Sequence, residues 1–207
     1  MVLSVTARLL INCRGILFPR CPSSSVFAQQ RAFHKKPIPV SWEKPNYGWT
    51  KLNFDGSLRG GTGKASIGGV FRNHNAEFLL GYAEPIGRVT STAAEFAALQ
   101  RGLELILENR WKCVWLEGDA LTLVETVEGK RMVKCAEIQR YMTRIKLMIP
   151  ELRTYKVTHV YREGNRLADM LAQMGHLSEE PRIWTTPPEE VLPIVRDDAQ
   201  GRTMFRK

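Results

Sequence analysis

With 207 residues, the chain has room for one domain of ordinary size plus extensions. Its formal charge of +9 points to a polyanionic partner, but residues 1–42 hold six of the 30 basic residues and none of the 21 acidic ones; residues 43–207 carry 24 basic against 21 acidic side chains, a net of +3. Bulk basicity is therefore weak evidence for nucleic-acid binding. The four cysteines, Cys13, Cys21, Cys113 and Cys135, form no C-x-x-C pair and no metal-finger spacing, which argues against a cysteine-held metal and predicts free thiols in a reducing compartment.

Taken in chain order, residues 1–36 come first and alternate apolar residues with Arg8, Arg14, Arg20, Arg31, Lys35 and Lys36, with Ser23-Ser24-Ser25 among them. This acid-poor, arginine-rich, serine-bearing make-up is that of an organelle transit peptide. Arg8 and Arg14 interrupt the unbroken apolar core that a secretory signal needs, and no apolar run reaches the ~18 residues of a membrane span. Arg31-Ala32-Phe33 resembles the Arg-x-Phe sites after which mitochondrial presequences are cut, which places the mature start near His34 and makes the mitochondrion the expected destination. Chloroplast targeting, or a basic arm that stays attached and binds nucleic acid, are the alternatives.

A first strand is predicted over Trp49–Asp55, ending in the turn signal Asp55-Gly56-Ser57. The glycine-rich stretch Gly56–Gly69 leads into a second strand at Ile67–Arg72. Asn73-His74-Asn75 reads as a turn and Glu77–Ala83 as a third strand, giving an antiparallel meander. A helix opens at Thr92, with Phe96, Leu99, Leu103 and Ile106 at helical spacing and Ala97, Ala98 and Gly102 small enough for close packing on a sheet. Lys112–Glu117 reads as a buried central strand. A short helix from Ala120, a longer one over Lys134–Ile149, a strand at Thr154–Tyr161 and a helix at Asn165–Gly175 follow. The expected architecture is α/β, a mixed five-stranded sheet flanked by helices and spanning residues 42–176. Pro181, Pro187, Pro188 and Pro193 mark residues 177–207 as a tail draped over the domain or partly disordered.

Four acids stand out: Asp55, Glu95, Asp119 and Asp169. Each has a plain structural alternative. Asp55 could serve the turn, Glu95 could complete a capping box with Thr92, Asp119 could cap the next helix, and Asp169 could lie on a solvated helix face. Jointly, the strand ends and helix starts that carry them can converge at one edge of the sheet. Four anions there repel unless a cation neutralises them, and hard carboxylate oxygens suit Mg²⁺ or Mn²⁺. Two such ions are the arrangement for in-line displacement at phosphorus.

The order Asp-Gly-Ser (55–57), Ala-Glu-Phe-Ala-Ala-Leu (94–99), Glu-Gly-Asp-Ala (117–120) and Arg-Glu-Gly-Asn-Arg-Leu-Ala-Asp-Met-Leu-Ala (162–172) resembles type 1 ribonuclease H. Trp42 before Pro45, and Trp184 before Pro187-Pro188, resemble the flanks of the plant branch related to retroelement ribonuclease H domains. The resemblance implies a ribonuclease H-like fold and metal-dependent hydrolysis of the RNA strand of an RNA–DNA hybrid. By position it makes Asp55, Glu95, Asp119 and Asp169 the catalytic, metal-binding carboxylates. Gly56 and Ser57 would follow the RNA minor groove, while Thr90, Ser91 and Thr92 would grip a phosphate of the DNA strand. Asn165 is placed with them among the nucleic-acid contacts.

Two departures qualify the match. The short connection Arg162-Glu163-Gly164-Asn165 lacks the loop histidine of many family members. His159 is the candidate for proton transfer, although Val157-Thr158-His159-Val160 reads as strand. No separate hybrid-binding domain precedes the core; Lys130, Arg131, Lys134, Arg140, Arg144 and Lys146 form either a solvated helix face or a backbone-binding one. The expected partner is an RNA–DNA hybrid, with no membrane, no obligate protein partner and a monomeric state. Competing readings are a nuclease of this fold acting on other RNA, a catalytically silent nucleic-acid-binding module, and a structural role in an organellar assembly.

Overall fold

The computed structural model describes residues 36–206. The leader read from residues 1–36, with Cys13 and Cys21, lies outside the described residues apart from Lys36. The chain then runs through β1 (Ile38–Val40), β2 (Thr50–Leu58), β3 (Lys64–Arg72), β4 (Phe78–Arg88), α1 (Ser91–Glu108), β5 (Cys113–Gly118), α2 (Leu121–Val127), α3 (Ala136–Met148), β6 (Thr154–His159), α4 (Arg166–Gly175), β7 (Arg182–Trp184), α5 (Leu192–Ala199) and β8 (Met204–Arg206).

The main sheet has the order β6-β5-β2-β3-β4-β7. β2, β3 and β4 form the expected antiparallel meander, and β5 and β6 add in parallel after the α1 and α2–α3 crossovers. Side-chain alternation along β2 and β3 sends Leu52, Phe54, Ile67 and Phe71 to the face covered by α1 and α3. Val70 goes to the opposite face, where it meets Leu167 and Leu171 of α4. Two glycines permit these approaches: a Cβ on Gly68 would lie 2.2 Å from the Ala172 nitrogen, and one on Gly56 would lie 2.5 Å from the Ala94 and Glu95 backbone. The start of α1 is therefore pressed directly onto the end of β2.

The sheet has one strand more than the sequence pattern predicted. The sixth, β7, comes from the segment read as a tail, and pairs Arg182–Trp184 with Gly81–Ala83 of β4. β4 runs to Arg88, past the predicted end at Ala83, and β7 covers its outer edge at Gly81–Ala83, where backbone groups would otherwise stand unpaired. Trp184, Ile194 and Val195 pack on the cluster of Val70, Leu167, Leu171 and Val191, and β8 pairs antiparallel with β1. Residues 177–206 are thus built into the domain. No helix among the described residues is long and apolar enough to cross a membrane. Cys113 is half-buried and Cys135 exposed, both as free thiols.

Candidate active site

Parallel pairing sets Asn53 of β2 opposite Glu117 of β5. Two residues further along each strand, the chain therefore presents Asp55 and Asp119 side by side. Gly56 lets the start of α1 close onto this strand end and bring Glu95 with it. The result is a cluster in which one carboxylate oxygen from each of Asp55, Glu95 and Asp119 lies within 4.8 Å of the others.

The plain alternatives for these acids are not realised. Thr90, not Thr92, caps α1, accepting from the Ala93 amide at 3.1 Å, which leaves Glu95 with no capping role. α2 starts after Ala120 and has no side-chain cap, so Asp119 caps nothing. Asp169 stands on α4 next to the cluster, close enough for its charge to act on Asp55. Its own oxygens are held by Arg162 at 2.6 Å and by Gln173 at 2.8 Å.

The cluster is electrostatically strained. Burial, then the charges of Glu95, Asp119 and Asp169, push the Asp55 carboxyl up to about 10. Burial and then Asp119 raise Glu95 to about 8, against the opposing pull of the Gly56 amide. Glu95 Oε2 is sealed from solvent and has no hydrogen-bond partner. A carboxylate with an unpartnered interior oxygen, grouped within 4.8 Å of two further carboxylates, fits a hard divalent cation, which relieves the repulsion among them.

The other predicted residues divide. Ser91 and Thr92 are exposed and free to meet a ligand, whereas the Thr90 hydroxyl is engaged by its capping bond. Gly56 and Ser57 are half-buried, and Ser57 Oγ lies 3.1 Å from His176 Nε2. His159 lies on β6, where its Nε2 meets the backbone carbonyl of Asp119 at 3.1 Å rather than the carboxylate cluster. This contact ties the end of β6 to the turn that carries Asp119. Of the basic residues around α3, Lys130 and Arg131 pair with Glu128 and Glu125.

Asn165 is a correction. It is 1% exposed and cannot reach a ligand: its Nδ2 donates to the Phe54 carbonyl at 3.0 Å, and its Oδ1 accepts from Asn53 at 3.3 Å. It belongs to a buried polar network beneath the acids. There Lys51 Nζ meets Glu117 Oε1 at 2.6 Å and lies 3.6 Å from the Trp115 ring centroid, and burial lowers it to about 8. Arg72, 1% exposed, pairs with Asp198 of α5 at 2.7 Å, bonds Asn53 Oδ1 at 2.9 Å and stacks on Trp42 at 3.7 Å. Sequence reasoning missed Arg162 and Gln173 at the site, although Gln173 lies at i+4 from Asp169, the spacing of neighbours on a helix face.

The reverse transcriptase-like family matches residues 53–175, a span that holds all four acids. A ribonuclease H protein of Arabidopsis thaliana is 31% identical over 172 residues, covering 81% of this chain and 27% of the relative. This chain therefore spans about a quarter of that relative's length. Among solved structures, RNase H1 from the archaeon Halobacterium salinarum matches with a TM-score of 0.59 and 26% identity, over 62% of this chain and 97% of that one. LC11-RNase H1, solved in complex with an RNA/DNA hybrid, matches with a TM-score of 0.57 and 27% identity, over 62% and 99%. The resemblance expected from the four motifs stands on these matches. The chain belongs to the reverse transcriptase-like family and carries the ribonuclease H fold.

Proposed function

We propose that the chain is a divalent-metal-dependent endonuclease that hydrolyses the RNA strand of RNA–DNA hybrids. The observation that carries this reading is the cluster of Asp55, Glu95 and Asp119, with its orphaned Glu95 oxygen, on a fold shared with an enzyme solved on such a hybrid. Asp55, Glu95 and Asp119 would hold Mg²⁺ or Mn²⁺, with Asp169 completing a site for two ions. Such ions supply Lewis-acid stabilisation of phosphoryl oxygens and a water acidified enough to attack.

The chain's own groups do the rest. The β2 and β5 ends fix Asp55 and Asp119, and the close approach of Gly56 to the Ala94 and Glu95 backbone places Glu95 beside them. Arg162 holds Asp169 and spreads positive charge over Asp55 and Asp119, which offsets part of the repulsion an incoming phosphate meets. The exposed hydroxyls of Ser91 and Thr92, at the start of α1, are suited to a phosphate of the other strand. The same reading makes the protein a monomer that works on its hybrid without an obligate protein partner, and the arginine-rich leader a mitochondrial address. A fluorescent fusion of residues 1–42 that fails to reach mitochondria refutes the address.

The test of the function is cleavage of an end-labelled RNA–DNA hybrid by the full chain, beside single-stranded and double-stranded RNA, in Mg²⁺, Mn²⁺ or EDTA. The expected result is metal-dependent cutting of the hybrid's RNA strand alone. Cutting of the other substrates at equal rate, or of none while the folded protein binds hybrid, overturns the proposal.

A further inference from the structure

A second feature runs away from the carboxylates along two adjacent rows. On β2, Asp55 and Ser57 are two residues apart, the period that keeps side chains on one face, and Arg59 follows directly after the strand end at Leu58, where the hairpin to β3 begins. On α4, Asp169 and Gln173 are one helical turn apart and joined by a 2.8 Å hydrogen bond. His176 at the end of α4 ties the rows together through Ser57 at 3.1 Å. Both rows end in a cavity of about 450 Å³ lined by Arg59, Met170, Gln173, Met174, His176, Leu177, Arg182 and Glu190.

The chemistry of this cavity is specific. Arg59 and Arg182 enter no ion pair among the described residues, so two guanidinium groups stand against the single rim carboxylate of Glu190. Met170 and Met174 are half-buried and Leu177 is 79% exposed, giving an adaptable apolar wall beside the cationic one. Guanidinium forks facing an apolar wall suit a nucleotide: phosphate on the arginines, sugar or base on the methionines. From Asp55 to the strand end at Leu58, next to Arg59, the chain advances about 10 Å, roughly three nucleotide steps at the ~3.4 Å spacing of one strand.

We propose that this cavity is a subsite for a backbone phosphate of the RNA strand, a few nucleotides to one side of the cut, with Arg59 and Arg182 as its phosphate contacts. The inference rests on the proposed hybrid cleavage and extends it. Arg182 belongs to β7, so the strand added at the sheet edge does more than cover that edge: it completes the substrate track.

The experiment compares the full-chain wild type with Arg182→Ala, and with Arg196→Ala as a control that removes an equal charge from the exposed face of α5. Each is assayed on a hybrid with RNA on both sides of a single cut site, and on two hybrids whose RNA strand is trimmed on one side or the other. The expected result for Arg182→Ala is a KM raised about 5- to 10-fold on the untrimmed hybrid, with kcat little changed and the salt dependence of binding reduced by about one phosphate. Trimming the RNA on one particular side abolishes this penalty; trimming the other side leaves it. A penalty indifferent to both trimmings, matched by Arg196→Ala, or absent altogether overturns the subsite while leaving hybrid cleavage intact. No cleavage by the wild type overturns both readings.

Discussion

Replacing Asp198 by alanine tests how the C-terminal segment supports the site. Asp198 is the carboxylate partner of Arg72, and the two meet at 2.7 Å with 1% and 6% of their side chains exposed. After the substitution the guanidinium keeps Asn53 Oδ1 at 2.9 Å, the Trp42 ring at 3.7 Å and the weaker influence of the Glu117 charge, but loses its paired carboxylate, and its Nε already lacks a partner. Arg166 loses its 3.3 Å contact to Asp198 as well but keeps Asp197 at 3.4 Å. Breaking a buried pair from one side typically costs about 3–5 kcal/mol, because a charge stays buried and uncompensated. Against a total stability of about 5–15 kcal/mol, that is a large fraction. It corresponds to a melting temperature lower by roughly 6–20 °C at about 2–4 °C per kcal/mol for a domain of this size. Urea unfolding followed by tryptophan fluorescence reads the loss, with an unchanged m-value showing that the same structure unfolds. The double variant Arg72→Met with Asp198→Leu removes both charges and should recover most of the stability. A loss under about 1 kcal/mol for Asp198→Ala refutes the reasoning, since it means that α5 does not neutralise the buried arginine.

Other expectations follow from the site. The raised carboxyls of Asp55 and Glu95 hold protons in the folded state that the unfolded chain releases above ~4, so the metal-free protein should lose stability as pH rises from about 4 toward 8, by up to ~1.4 kcal/mol per pH unit per group. Urea midpoints in EDTA should therefore fall more steeply with pH for the wild type than for Asp55→Asn; parallel curves contradict the strain. Mg²⁺ should raise the midpoint more at pH 8 than at pH 5, where protons compete for the same oxygens. Gly56→Ala drives a Cβ to 2.5 Å from the Ala94 and Glu95 backbone, so α1 must shift; it should cost about 1–3 kcal/mol and weaken Mn²⁺ binding measured by calorimetry, and unchanged affinity speaks against the close approach. Arg162→Ala removes the cation beside Asp169. It should lower the Mg²⁺ concentration for half-maximal cleavage while raising KM for the hybrid, and movement of both in the same direction contradicts the charge argument.

Much of the fold and most of the acid cluster were legible because the relevant signals are local. The apolar alternation through Leu52 and Phe54, the small residues of α1 and the glycine after Asp55 each mark their element without distant context. β7 was not legible: three residues between prolines carry no usable period, and the strand exists because the edge of β4 is there to pair with it. The polar positions of β2 were misleading for a related reason. Alternation predicts that Lys51 and Asn53 face away from the apolar core, and they do, but α4, α5 and Trp42 cover that face and turn it into a buried ionic layer. Asn165 is placed among the nucleic-acid contacts with the residues of the resemblance; only tertiary packing puts it under the acids.

The most direct test of the account is the single-turnover rate of hybrid cleavage at saturating Mg²⁺ for the wild type and for Asp55→Asn, which keeps the shape of the side chain and removes its charge. If these carboxylates hold the metal that cuts RNA, the rate should fall by at least about 10²- to 10³-fold while the folded variant still binds hybrid. Cleavage by Asp55→Asn at the wild-type rate contradicts the account.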